Sequence, residues 1–234
     1  MGSNRDESTM RRRASLPVVR EAGGLLLLTP IDQEKGGSWV GLRQDGESRI
    51  LLNGAFGRHE RLPNYTKSRG LVLLESFQYD GLETFHERSH LAGIEPFTIV
   101  ALRGDRVAEM RWDGESSRFS LFDPEKPAHW SSATLYEPAL QGVLDSKFKA
   151  WLDQTRSASV RSLAAFMDHQ SYGSRMQRAG QTPLPTLQTI SASITVVQQD
   201  FAEFHYFDHL IPVSSVARIG RKPHQSTSSS GKVD

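Results

Sequence analysis

The chain alternates between short apolar runs and turn-forming clusters. Leu25-Leu26-Leu27-Leu28 ends at Thr29-Pro30 and predicts a strand. Glu34-Lys35-Gly36-Gly37-Ser38 is a turn. Residues 39–42 then predict a strand into Gln44-Asp45-Gly46, and residues 49–53 the next one. Turns at such short spacing imply a meander of antiparallel strands. Residues 68–78 put Leu71, Leu74 and Phe77 on one helical face, and a second short helix is expected over 82–91. Three strands follow over 97–102, 107–112 and 118–122, turned by Arg103-Gly104-Asp105-Arg106 and Asp113-Gly114. Residues 135–154 and 157–169 carry apolar positions at helical spacing, among them Leu140, Leu144, Phe148 and Trp151, then Leu163 and Met167. Residues 172–186 read as a loop, and 187–198 with 201–207 as a hairpin around Gln199-Asp200. Residues 1–20 are polar and basic and show no strand period. Blocks of strands, helices, strands, helices and strands predict an α+β fold, with antiparallel sheets covered by helices.

Composition narrows the function. A length of 234 residues suits one substantial core, and the expectation is a single domain over 1–212 with a disordered Ser-, Lys- and Gly-rich tail over 213–234. The 28 basic residues nearly balance the 27 acidic ones, which argues against nucleic acid as the main partner, since phosphate binding needs a concentrated basic face. There is no cysteine, so disulfides and thiolate metal sites are excluded. The longest apolar run is far too short to span a membrane. Arg11-Arg12-Arg13 is not followed by an apolar signal core, so the expected location is cytoplasmic.

Four motifs invite chemistry. His86-Glu87-Arg88-Ser89-His90 fits H-E-x-x-H, which on a helix would present two imidazoles to zinc. The helix is short, the third-ligand position is Pro96, and an exposed polar helix accounts for the segment better. In 204–209, His205 and Phe207 share one strand face while Phe204 and Tyr206 share the other, which reads as aromatic packing rather than a metal site. No metal or other cofactor is expected. Asn53-Gly54 is a strong hairpin signal, but Ala55-Phe56-Gly57 is not a simple returning strand. An Asn amide at a strand end can instead donate to a developing oxyanion, and periodicity does not choose between the two. The fourth is Ser3-Asn4-Arg5-Asp6-Glu7, a dense polar cluster of the kind that follows a strand and lines a site, here without a preceding strand.

That cluster resembles the signature of the NRDE family, the relatives of the transport and Golgi organisation protein. Gly36-Gly37-Ser38-Trp39-Val40-Gly41 is similar to a second block of that family, and Leu51-Leu52-Asn53-Gly54-Ala55-Phe56, Pro63-Asn64-Tyr65 and Lys67-Ser68-Arg69-Gly70 to further ones. Glu95-Pro96-Phe97-Thr98-Ile99-Val100, Trp112-Asp113-Gly114, the stretch from Trp130 to Tyr136, and Ser193-Ile194-Thr195 follow in order. The resemblance implies an N-terminal-nucleophile-hydrolase-like fold, a four-layer αββα sandwich. It also implies a reaction at a carbon–nitrogen amide bond. In such enzymes the exposed N-terminal residue attacks a carbonyl while its own α-amine, with a pKa of roughly 8, acts as base. Family members begin Met-Cys-Thr and a strand before Asn-Arg-Asp-Glu. On this resemblance the chain lacks the first strand and the Cys nucleophile, and the expectation is an inactive chain whose longer form is the enzyme. Asp6 would orient the nucleophile and its amine, with Asn4 beside it and Asn53 as oxyanion donor. The alternative it implies is a non-catalytic binding or trafficking protein for a small amide or carboxylate ligand, with haem as one candidate. Arg5, Arg11, Arg58 and Arg69 would then hold a carboxylate, joined by Arg61.

Overall fold

The computed structural model describes residues 1–222 except 156, 174, 175, 177–185 and 212. Most of the expected loop at 172–186, and the end of the tail, lie outside the described residues. Two antiparallel sheets form the centre. The larger has seven strands in sequential order: β2 (Val18–Ala22), β3 (Leu25–Thr29), β4 (Val40–Arg43), β5 (Ser48–Asn53), β6 (Phe97–Arg103), β7 (Arg106–Trp112) and β8 (Ser117–Phe122). The smaller runs β1-β9-β10-β11, built from Gly2–Ser8, Leu187–Val197, Phe201–Asp208 and Val213–Gly220.

The two sheets bury their facing sides against each other. Leu28, Trp39, Val40, Leu42 and Ile50 of the larger meet Ala202, Phe204, Tyr206 and Ile219 of the smaller. The strict alternation along β10 follows from this, with Phe204 and Tyr206 inward and His205 and Phe207 away. Helices α1 (Arg69–Ser76) and α2 (Gly81–Arg88) cover the outer face of the larger sheet through Val72, Leu73, Phe77 and Phe85. Helix α4 (Val160–His169) covers the outer face of the smaller one, where Met167 packs on Ala192 and Ile194. Helix α3 (Pro138–Gln154) lies beside α4, with Phe148 and Trp151 against Phe166. The result is the expected αββα layering.

Local chemistry sets the element ends. Ser68 caps α1 by accepting from Leu71 N, and Ser159 with Ser162 forms a capping box at α4. Helix α3 begins later than residue 135 because Pro138 occupies its first turn, where a missing N–H costs nothing. Helix α2 stops at Arg88, where Ser89 turns extended.

Three strands depart from the sequence reading. Residues 2–8, read as polar without an element, are β1. Its buried positions are Ser3 and Arg5, so no hydrophobic period marks it, and pairing with β9 holds it in place. β2 is an edge strand with exposed Val18 and Val19. Val213–Gly220, expected to begin a disordered tail, is β11, fully paired with β10 and anchored by Ile219.

The β4–β5 hairpin buries four charges, Arg43, Asp45, Glu47 and Arg49. Arg43 binds Asp45 and Glu47 at 2.9 and 2.7 Å, and Arg49 Nε donates to Glu47 at 2.9 Å. Both guanidiniums also reach the C-terminal end of α1. Arg43 donates to Phe77 O and Tyr79 O at 2.8 Å each, and Arg49 donates to Ser76 O. The arginines thus satisfy carbonyls that a helix end leaves orphaned. Removing one partner of such a cluster strands a buried charge. Arg49→Met is therefore expected to lower unfolding free energy by about 3–5 kcal/mol in urea titration.

Asp45 adds a pH dependence. Burial pushes its pKa up, but its hydrogen bond to Arg43 and the charges of Arg43 and Arg103 outweigh this, leaving it below the ordinary 3.8. Its stabilisation is fully present above the unfolded value and is lost as pH falls from there through the folded pKa. Acid unfolding curves below about pH 4 should be shallower in Asp45→Asn than in the wild type.

Candidate functional site

A cavity of about 1180 Å³ opens at the β1 edge of the smaller sheet. β1 itself, the end of β5, the start of α1, the segment from Pro124 to Tyr136, and helices α3 and α4 all contribute to its wall. Asn4, Arg5, Asp6, Arg11, Asn53 and Arg69 line it together, although they lie far apart in the sequence. Arg58 is exposed and is not on the wall.

Asp6 is held from two sides. Tyr136 Oη donates to one carboxylate oxygen at 2.6 Å, and Thr189 Oγ1 donates to the other. Thr189 in turn accepts from Tyr172 N at 2.6 Å, so β1, β9 and the approach to α3 meet at this carboxylate. A β-bulge between Arg5 and Asp6 sets its direction, as bulges commonly re-aim a side chain beside a site. Asn4 points to α4 and donates to Met167 O at 2.9 Å, while its Oδ1 is buried and has no hydrogen-bond partner among the described residues. Met1 also lines the cavity, and its ammonium is buried. It donates to Thr195 O at 2.9 Å, and burial pushes its pKa below 8.0.

Asn53 ends β5, and the following turn is clamped by its own carbonyls. Asn53 O accepts from Ser132 Oγ, Gly54 O from Thr98 Oγ1, and Ala55 O from Arg111 Nη1. β5 pairs with β6 rather than with the residues after Gly54, so Asn53-Gly54 is not a two-residue hairpin. It is a rigid strand end that presents Asn53 at the cavity wall. The aromatic chains of Phe148, Trp151 and Phe166 form an apolar wall on the helix side.

The arginines are less free than a carboxylate cradle requires. Arg5 binds Asp32 at 2.9 Å and stacks on the Trp39 ring at 4.2 Å. Burial lowers its pKa against the opposing pull of Asp32 and Glu7. Arg11 meets Glu7 at 2.7 Å and Asp32 at 3.0 Å. Arg69 meets Glu95 at 3.3 Å and donates to Pro96 O, and burial lowers its pKa against the charge of Glu95. Arg61 is exposed and stands 3.9 Å from Glu95. Arg5 Nη1 remains buried without a hydrogen-bond partner among the described residues.

Two stretches far apart in sequence meet here at glycines. A Cβ on Gly37 would lie 2.5 Å from Gly70 C and 2.7 Å from Leu71 N. The start of α1, with Arg69, therefore rests directly on the backbone before Trp39. The residues of the zinc motif go elsewhere. His86 bonds Ser117 Oγ at 3.0 Å and stacks on Phe119, and His90 lies beyond the end of α2, so helical i,i+4 spacing does not apply to the pair. Among the described residues no group of three or more His, Asp or Glu side chains is placed to hold a metal.

This architecture is N-terminal-nucleophile-hydrolase-like. It resembles a mutant of the conjugated bile acid hydrolase from Clostridium perfringens, with a TM-score of 0.53, 9% identity, and coverage of 95% of this chain and 92% of that one. A second variant of the same hydrolase aligns with a TM-score of 0.49 and 8% identity, over 95% of this chain and 89% of that one. No curated protein matches the sequence. Residues 1–205 match the family described as Transport and Golgi organisation 2, and the chain belongs to that family.

The structure, not the sequence, brings Asn4, Arg5, Asp6, Arg11, Asn53 and Arg69 to one wall and leaves Arg58 off it, and the sequence reading misses their partners. Tyr136 lies in the family-like stretch from Trp130 to Tyr136 without an assigned role, and Thr189 carries no sequence signal. Phe148 and Trp151 read as ordinary helix core, because spacing cannot tell a core stripe from a cavity wall. Gly54 tests the clamp. Its φ is +82°, and a Cβ would approach Thr134 Cγ2 at 2.9 Å. Gly54→Ala should destabilise the protein by about 1–3 kcal/mol by thermal or urea unfolding.

Proposed function

We propose that the cavity binds a small organic ligand carrying an amide or a carboxylate, and that a form of the protein with a cysteine ahead of β1 hydrolyses a carbon–nitrogen amide bond there. The observation that carries this reading is the convergence of Asp6, Asn4 and Asn53 on one cavity with an apolar far wall. The family and the hydrolase-like fold support it. In the reaction, a thiolate adds to the carbonyl, the C–N bond breaks, the amine leaves with a proton from the α-ammonium, and water hydrolyses the acyl-enzyme. Asn53, presented at a rigid strand end, donates to the oxyanion. Asp6, locked by Tyr136 and Thr189, orients the nucleophile and its amine. The 234 residues contain no cysteine, so by themselves they carry binding rather than turnover.

The aromatic wall favours a second reading, non-catalytic carriage of an apolar carboxylate such as haem. Both readings make the protein a binder of small molecules. No helix among the described residues is long and apolar enough to cross a membrane.

Calorimetry with N-octanoylglycine separates the readings. The 234-residue chain should bind it without releasing glycine, and Asn53→Ala should weaken binding by about tenfold through loss of one hydrogen bond. A chain extended to begin with cysteine should release glycine, and Asp6→Asn should abolish that release. No binding of N-octanoylglycine, with haem bound tightly instead, would replace hydrolysis by carriage. Glycine release by the 234-residue chain would overturn the need for an added thiolate.

A further inference from the structure

The segment joining β1 to β2 carries the chain's one run of adjacent arginines, Arg11-Arg12-Arg13, followed by Ala14, Ser15 and Leu16. Arg12, Arg13 and Ser15 are not on the cavity wall. The segment lies on the surface, with Leu16 45% exposed and the Arg13 side chain 44% exposed. Arg12 is exposed too. Its backbone N–H donates to Glu34 Oε1 at 2.6 Å, and its guanidinium has no ion-pair partner among the described residues. Ala14 makes an isolated antiparallel bridge with Asp32, so the backbone is extended where it reaches the half-buried Ser15.

Two arginines three and two positions before a serine, with an exposed apolar residue after it, form a charge pattern that a protein kinase with carboxylates in its peptide groove can read. Arg12 and Leu16 are free to enter such a groove, and Arg13 needs only to leave Asp208, which it meets at 2.7 Å. In the transfer, the bond between the γ-phosphorus of ATP and its bridging oxygen breaks and a P–O bond to Ser15 Oγ forms. The hydroxyl proton passes to the catalytic aspartate of the kinase, and ADP leaves.

Ser15 is also one side of a seam. Its N–H donates to Ile31 O at 2.8 Å, and its Oγ accepts from Ile31 N at 2.9 Å. The next residue across the seam is the buried Asp32, which binds Arg5 at 2.9 Å and Arg11 at 3.0 Å. A phosphoserine adds roughly 1.5 to 2 negative charges at neutral pH. Placed here it repels Asp32, and it competes with Asp32 for Arg11 and with Asp208 for Arg13. Electrostatics therefore favour opening of the seam once the ester is made.

We propose that Ser15 is a phosphorylation site for an arginine-directed serine kinase, and that the phosphate releases the β1–β2 segment from residues 31 and 32. This goes beyond the proposed function and does not depend on the cavity or its ligand. The arginine run supplies recognition, and the seam supplies the structural response.

The test incubates the 234-residue protein with magnesium, ATP and the catalytic subunit of cyclic-AMP-dependent protein kinase, beside a free peptide of residues 10–19. The folded protein should gain one phosphate by intact mass, located at Ser15 by fragmentation and absent from that position in Ser15→Ala. Arg12→Ala should lower the kinase's kcat/KM by at least about tenfold, the loss of one charge-assisted contact. Hydrogen exchange of the Ser15 and Ile31 amides should accelerate by about tenfold in the phosphorylated protein. Phosphorylation of the peptide but not of the folded protein overturns the proposal, because the fold then closes the motif. No reaction with either, or a phosphate found only on another residue, overturns it as well. A phosphate at Ser15 with unchanged exchange at Ser15 and Ile31 overturns the release.

Discussion

Arg43 and Arg49 carry the constraint on which much of the architecture rests. They are buried in the β4–β5 hairpin beside Asp45 and Glu47, and both also bind carbonyls at the end of α1. A buried guanidinium cannot be left without acceptors, so the hairpin and the helix must meet in one register. The same helix begins at Arg69, where Gly70 lies against Gly37. One end of α1 is thus tied by charge and the other by close backbone approach. Together these ties place Ser68, Arg69 and Trp39 along the same cavity.

The opposite side of the cavity is organised by a different balance. β1 has almost no apolar content, yet it lies between two layers. Its inward Arg5 is compensated by Asp32 and by the Trp39 face, and its Asp6 by Tyr136 and Thr189. Buried polar side chains are mostly hydrogen-bonded, and here the charged groups of Arg5 and Asp6 are. The partners come from four separate parts of the chain, which makes this corner both rigid and polar. The aromatic side of α3 and α4 faces it across the cavity. A ligand therefore meets hydrogen-bonding groups at one end and ring surfaces at the other.

The electrostatics also restrain how a carboxylate ligand would be held. Glu7, Asp32 and Glu95 already neutralise Arg5, Arg11 and Arg69. An incoming carboxylate must compete with them, whereas an amide needs only the donors and acceptors that remain. For the proposed ligand, this competition favours a neutral amide over a free acid.

By itself the sequence determined the layers. Period-two and period-3.6 patterns located β3 to β8, β9, β10 and all four helices, because all of these elements except β8 bury apolar residues at a regular spacing, and β8 is marked by the turn at Asp113-Gly114 and by half-buried Phe119. It also marked Asp6, Asn4 and Asn53, since a polar cluster and an Asn at a strand end are legible as residue types. Tertiary structure alone decided β1, β2 and β11, which pairing with a neighbouring strand holds with at most one or two core residues each, Ala22 in β2 and Ile219 with Ala217 in β11. It decided that Asn53 ends a clamped strand rather than turning a hairpin, because Ser132, Thr98 and Arg111 reach that turn from distant positions. It decided that His90 leaves its helix and that the arginines are already paired. Each of these outcomes depends on contacts between residues far apart in the chain, and local periodicity contains no information about which distant partner will arrive.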